Sequence, residues 1–217
     1  MNNQKEIWNH LIDGHQSEHA LRKVMWHVSR TLSDMVGKSI SNEDPLIEKV
    51  PLSQVPARAG GAEAEMVGIY LVMGGGLRGQ AILILPLTSA LHLVDLLAGD
   101  QPGTATELGI MERSALAEIG NMTLASFLNA VSELADMPDL LRPSPPAVMV
   151  DMLGAILDVI ITPVAAVRDD LLIIETTLRD ARKSIQGRLW VLPDPAIQDL
   201  GRGIAKAMEQ ESGSKGM

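Results

Sequence analysis

Between Glu18 and Val36 apolar residues recur every three or four positions. Leu21, Val24, Met25, Val28, Leu32 and Met35 fall on one face of a predicted helix that ends at Gly37. The pattern then changes to that of strands. Met66 to Met73 and Arg78 to Leu85 are rich in Val, Ile and Leu and flank Gly74-Gly75-Gly76, which predicts a β-hairpin with a glycine turn. After Pro86, Thr88 is placed to cap a short helix carrying Leu91, Val94, Leu97 and Ala98. A second long helix is predicted from Thr104, where Thr104-Ala-Thr-Glu107 has capping-box spacing, to about Leu134. Its apolar side comprises Ala115, Ile119, Met122, Leu124, Phe127, Leu128 and Val131. Leu171 to Thr177 and Gln186 to Leu192 predict a second hairpin around the charged turn Arg179 to Ser184. Asp194-Pro195 then supplies the start of a helix through Leu200 and Ile204.

The same order of elements therefore occurs twice. The two hairpins share a phrase, Gly79-Gln-Ala-Ile-Leu-Ile-Leu-Pro86 and Gly187-Arg-Leu-Trp-Val-Leu-Pro193, about 108 residues apart. One helix–hairpin–helix unit is too small to bury both its sheet face and its helix. The expectation is thus a pseudo-twofold α+β domain over residues 1–208, with one half at about 15–100 and the other at about 104–208, followed by a flexible polar tail, 209–217. The plainer alternative is two unrelated hairpins in an ordinary α+β domain.

Composition narrows the function classes. The 217 residues are 46% hydrophobic and 21% charged, enough to build a sizeable core. Eighteen Lys and Arg against 27 Asp and Glu leave a net charge of −9, which repels phosphates, and three Trp, one Tyr and one Phe offer little for base stacking. Nucleic acid is therefore not an expected partner. The absence of cysteine removes thiolate chemistry and disulfides. The first residues lack the apolar stretch of a secretory signal, and the greasiest segment, Met152 to Val167, contains Asp158 and Pro163 and is too short to span a bilayer. A cytoplasmic protein without membrane contact is the expectation.

The second long helix carries Ser114, Glu118 and Asn121, within an arc of about 60° over about 10 Å of helix. A carboxylate and a carboxamide one turn apart can grip a partner's cation and position a water at once, although such residues are more often a solvated face. His15 and His19 bracket Glu18 at a spacing that could hold a metal, but no third ligand is evident and an exposed polar face is the better reading. The triple glycine is not followed by the Lys-Ser/Thr of a phosphate-binding loop. Asp151 and Asp158 read as solvent-facing positions, and Asp169-Asp170 as a turn into the second hairpin.

The segment Ser114-Ala-Leu-Ala-Glu118-Ile-Gly-Asn121, followed by Pro143-Ser-Pro-Pro146 and Val150 to Leu157, resembles the chemotaxis phosphatases of the CheC, CheX and FliY family. That family's signature is Asp or Ser, three residues, Glu, two residues, Asn, and a Pro after about 22 more. The final element here is displaced by about one residue, with prolines at 143, 145 and 146 around Ser144. The resemblance extends over about Ala20 to Leu200 and is densest between Ser114 and Leu157. It implies a largely antiparallel sheet with two long helices exposed on one side. It also implies hydrolysis of the aspartyl phosphate of a CheY-type receiver domain, with Glu118 and Asn121 as catalytic residues and Ser114 as a partner contact. No metal or cofactor of its own is implied, Mg2+ being expected on the receiver. A CheD-like deamidase is a further candidate partner.

In CheC-like relatives each long helix carries a Glu and an Asn. Here the first helix offers Glu18, Arg22 and Met25 at that spacing, and the nearest Glu-x-x-Asn is Glu6-Ile-Trp-Asn9, farther upstream. One active surface is therefore expected. The internal duplication points to a monomer rather than a homodimer. The competing reading is a noncatalytic receiver-binding adaptor or flagellar-switch module of the same fold. A FliY-type switch protein would carry an appended C-terminal domain, for which no room is expected here.

Overall fold

The computed structural model describes residues 7–8, 11–12, 17–135 and 141–195. In chain order they form α1 (Ser17–Val36), β1 (Ile40–Asn42), β2 (Leu46–Pro51), a short α2 (Val55–Ala59), β3 (Glu65–Gly75), β4 (Gly79–Pro86), α3 (Leu87–Ala98), α4 (Ile110–Leu134), β5 (Leu141–Pro143), β6 (Ala147–Met152), α5 (Leu153–Ala165), β7 (Asp170–Asp180) and β8 (Gln186–Pro193). All eight strands join one antiparallel sheet of order β1-β7-β8-β4-β3-β5, with β2 also on β7 and β6 also on β3.

The pairing makes the twofold character explicit. The hairpins β3–β4 and β7–β8 meet through β4 and β8, where Ile82 lies opposite Trp190, 108 residues away. That separation equals the spacing of the two shared sequence phrases, so the pair sits on the pseudo-twofold axis. Each hairpin's outer strand is completed by the opposite half. β1 and β2 pair with the turn end and the far end of β7, and β5 and β6 do the same on β3.

Period-two alternation sorts the sheet residues onto two faces. Val67, Ile69, Leu71 and Met73 of β3, Leu83 of β4, Ile174 of β7 and Val191 of β8 pack beneath α1, α3 and α4. Ile82, Ile84, Leu171, Ile173 and Trp190 face the other way, onto α2 and α5. The two long helices share one face as the sequence predicts. The layer on the opposite face was not anticipated, although Leu153, Ile156, Leu157, Ile160 and Val164 are buried at helical intervals within the segment judged above too short to span a membrane. The buried Ile7, Trp8, Leu11 and Ile12 add to the first layer, where the Trp8 indole donates to the carbonyl of Arg78 at 3.3 Å.

Several boundaries differ from expectation. Helix α3 starts after Pro86 without a side-chain cap, and Thr88 lies inside it. The first hairpin turns over 76–78, since Gly74 and Gly75 still belong to β3 and pair with β5. Asp151 and Asp158 are exposed as expected. The helix expected through Leu200 and Ile204, and the tail 209–217, lie outside the described residues.

The second hairpin closes on a buried carboxylate. Asp180 accepts hydrogen bonds from the Ile185 amide (2.9 Å) and the Ser184 hydroxyl (2.9 Å) and pairs with Lys38 at 3.0 Å, tying the chain just after α1 to the turn of β7–β8. Burial alone would raise its pKa, but these donors outweigh burial and hold it well below the ordinary carboxylate range. A folded-state pKa lower than the unfolded one stabilises the protein above the ordinary value of about 3.9, and that stabilisation is lost as pH falls through and below it. Asp180→Asn should cost ~1–3 kcal/mol at pH 7. The difference from wild type should shrink in urea melts run near pH 3, and an undiminished difference there would contradict the assignment.

Candidate active surface

The start of α4 is fixed from outside the helix. Asp95, buried near the end of α3, accepts hydrogen bonds from the amides of Gly103 (2.6 Å) and Thr104 (3.1 Å) through one oxygen and from Ala105 (2.7 Å) through the other. The amides of Thr104 and Ala105 are among those a helix beginning at Thr104 would leave unpaired, and the Thr104 hydroxyl is itself committed to the Gln101 carbonyl at 2.7 Å. The expected capping box is therefore not formed, and α4 begins at Ile110 after an extended Gly109. Nothing in the local sequence advertises Asp95, which acts on residues eight to ten positions away.

Within α4 the Glu-Ile-Gly-Asn tetrapeptide is shaped by the sheet below it. Ile119 is fully buried, and Gly120 lies so near β3 that a Cβ there would come 2.3 Å from Cγ2 of Ile69. This close approach fixes the helix rotation. Ser114 and Glu118 are exposed and Asn121 is half-buried, all on the side away from the core. Among the described residues none of these three side chains has a hydrogen bond or ion pair. Met122, expected on the apolar side, is instead 40% exposed, because it follows Asn121 around the helix and sits one turn beyond Glu118.

The facing wall is the proline segment. Pro143 pairs with Met73 at the end of β5, and Ser144 continues the ladder in a different way: its amide donates to the Val72 carbonyl (2.8 Å) and its hydroxyl accepts from the Val72 amide (3.0 Å). Ser114, Ala117, Glu118 and Asn121 on one side and Pro143, Ser144, Pro145 and Pro146 on the other line an open groove of about 470 Å³. The structure thus brings together all three helix residues singled out in the sequence and the prolines of the displaced final element. The lining holds one carboxylate, one carboxamide and two hydroxyls, but no Lys, Arg or His. It can accept a cation and orient a water, while offering no side-chain charge to neutralise a phosphoryl group.

The corresponding place on α1 is chemically different. Helices α1 and α4 pack together, with Thr31 donating to Ser126, 95 residues away, at 2.9 Å. Shifting α1 by that interval lays its buried Leu21, Val24, Met25, Val28, Ser29, Leu32 and Val36 on the buried Leu116, Ile119, Gly120, Thr123, Leu124, Phe127 and Val131. The same shift sets His19, Lys23 and Trp26 at the places of Ser114, Glu118 and Asn121, one residue on from the sequence-based alignment with Glu18, Arg22 and Met25. Trp26 is 49% exposed beneath the Arg30 guanidinium, which lies 5.3 Å from its ring centre. Glu6, Asn9 and His15 lie outside the described residues.

The antiparallel sheet built from two exchanged halves and the two packed long helices give this chain the fold seen in solved CheX and FliY structures. Residues 111–150 match the model of the CheC-like family. It is 27% identical over 172 residues, 77% of this chain and 81% of the relative, to the CheY-P phosphatase CheC of Bacillus subtilis (strain 168). Thermotoga maritima FliY superposes with a TM-score of 0.66 at 19% identity, covering 94% of this chain and 96% of that one. CheX in the CheX–CheY–BeF3–Mg2+ complex from Borrelia burgdorferi gives 0.55 at 14% identity, covering 80% and 97%. No helix among the described residues is long and apolar enough to cross a membrane.

Because Gly120 sets the distance between α4 and β3, Gly120→Ala should destabilise the fold by ~1–3 kcal/mol despite the better helix propensity of Ala. Thermal unfolding checks this, and an unchanged or raised Tm would show that the helix can lift without cost.

Proposed function

We propose that this protein is a protein-aspartate phosphatase that dephosphorylates a receiver domain of the CheY type in chemotaxis signalling, using the α4 surface alone. The observation that carries this reading is the co-location of unpartnered Glu118 and Asn121 at the mouth of one groove, in the segment that matches the CheC-like family. The similarity to a CheY-P phosphatase and to a CheX bound to CheY supports the reaction and the partner class.

The chemistry suits so sparse a site. An acyl phosphate is already activated, and its hydrolysis needs a water in line with the breaking bond more than it needs a covalent nucleophile. The water oxygen attacks phosphorus, the bond to the aspartyl oxygen breaks, and inorganic phosphate and a free carboxylate result. The groove lining holds no Lys, Arg or His, and in the proposed reaction the charges that neutralise the phosphoryl oxygens come from the receiver, as the bound Mg2+ and lysine that the family resemblance implies. Asn121 contributes positioning, its amide holding the water in place; a carboxamide is no general base. Glu118, one turn away, pairs with the receiver lysine and sets the register of the complex, and Ser114 adds a contact at the rim. The α1 face would present Lys23 where that lysine needs a carboxylate, so it is unsuited to the same docking.

An adaptor that binds receivers without hydrolysing them would use the same fold, and the distinction lies in Asn121. Asn121→Ala should lower receiver-stimulated phosphate release by about 100-fold or more while leaving receiver affinity within about twofold. Phosphate release from a phosphorylated receiver reads this directly. An unchanged rate removes Asn121 from the mechanism, and no release by the wild type favours the adaptor.

A further inference from the structure

Large apolar side chains around the ridge face solvent. Ile110 is 90% exposed and Met111 is 81% exposed, both in the first turn of α4, and Met122 is 40% exposed near Asn121. On the helix Ile110 and Met111 stand about 100° apart and bracket the polar ridge at its N-terminal end, while Met122 flanks Glu118 from the other end, about 16 Å from Met111 along the axis. We propose that Ile110, Met111 and Met122 are the apolar contacts that seat the receiver domain on this surface, determining affinity while Asn121 determines rate. This rests on the phosphatase reading above and adds to it the docking residues.

The physical need for such contacts is plain. A Glu118–lysine pair in open water is screened and contributes little, but gains strength when apolar neighbours exclude solvent around it. The chain presents these neighbours on ordered backbone: the Asp95 clamp fixes the approach to the helix, and Arg113 donates to the Leu108 carbonyl at 3.0 Å just before it. Apolar side chains so exposed gain little for folding, and each lies three or four positions along the helix from a groove residue, Ile110 and Met111 from Ser114 and Met122 from Glu118, which gives the occupant as whatever the groove binds.

The test compares the full-length wild type, Ile110→Gln/Met111→Gln and Asn121→Ala. Affinity is measured for a CheY-type receiver activated with beryllium fluoride and Mg2+, and kcat and KM for the phosphorylated receiver. The glutamines remove apolar surface without adding charge. The double variant should keep the wild-type Tm and kcat and raise Kd and KM about tenfold or more. A Kd and KM within twofold of wild type overturns the docking assignment even where Asn121→Ala is inactive. Full activity of Asn121→Ala with weakened binding by the double variant overturns the catalytic role and leaves the docking residues standing. Wild-type dimerisation abolished in the double variant, with receiver affinity unchanged, assigns the patch to a second copy of this chain and overturns the proposal. A wild type that binds no receiver overturns both.

Discussion

The missing side chain at Gly120 is the constraint on which the candidate surface depends. With it α4 comes down onto Ile69 of β3, so its rotation is set by contact with a rigid strand. Buried Ile119 and exposed Glu118 and Asn121 follow from that one approach. The opposite wall is referred to the same strand, because Pro143 pairs with Met73 and Ser144 exchanges two hydrogen bonds with Val72. Both sides of the groove are thereby measured from β3, and its width is a property of the sheet. The proposed task of holding a water needs this kind of rigidity more than it needs reactive groups.

The two long helices show what duplication conserves and what it releases. Seven of the nine buried positions on each helix coincide under a shift of 95 residues, since both helices must fill the same space over related hairpins. Their outward positions have diverged in sign and size: a glutamate answers to a lysine and an asparagine to a tryptophan. Packing constrains the buried face by volume, whereas the solvent face is constrained only by what it meets.

Much of this architecture was legible in the chain. The hairpins and the long helices announce themselves because strands buried on both faces read as apolar runs and α1 carries a regular apolar stripe. The ridge of Ser114, Glu118 and Asn121 was visible as spacing, and the family resemblance gave that spacing a meaning. What escaped had physical reasons. Strands β1, β2, β5 and β6 lie on the outside of the sheet and are short or mixed in polarity, so no period betrays them; β2 buries only Val50. The start of α4 was misplaced because Asp95 satisfies amides that the local sequence assigns to a cap. Helix α5 had a readable 153–156–157–160–164 period, obscured by its uniform greasiness. The outward turn of Met122 could have been read from its spacing to Glu118, and Ile110 and Met111 fell inside a helix whose first turn was drawn too early.

The exchange of edge strands constrains what can be lost from this molecule. β1 and β2 complete the hairpin that follows α5, and β5 and β6 complete the hairpin that precedes α3, so excising either half would strip the other of its border. The first half is thereby needed as scaffolding whatever its own surface does. The exterior of α1 is left free to drift toward new uses, while its strands remain indispensable to its twin.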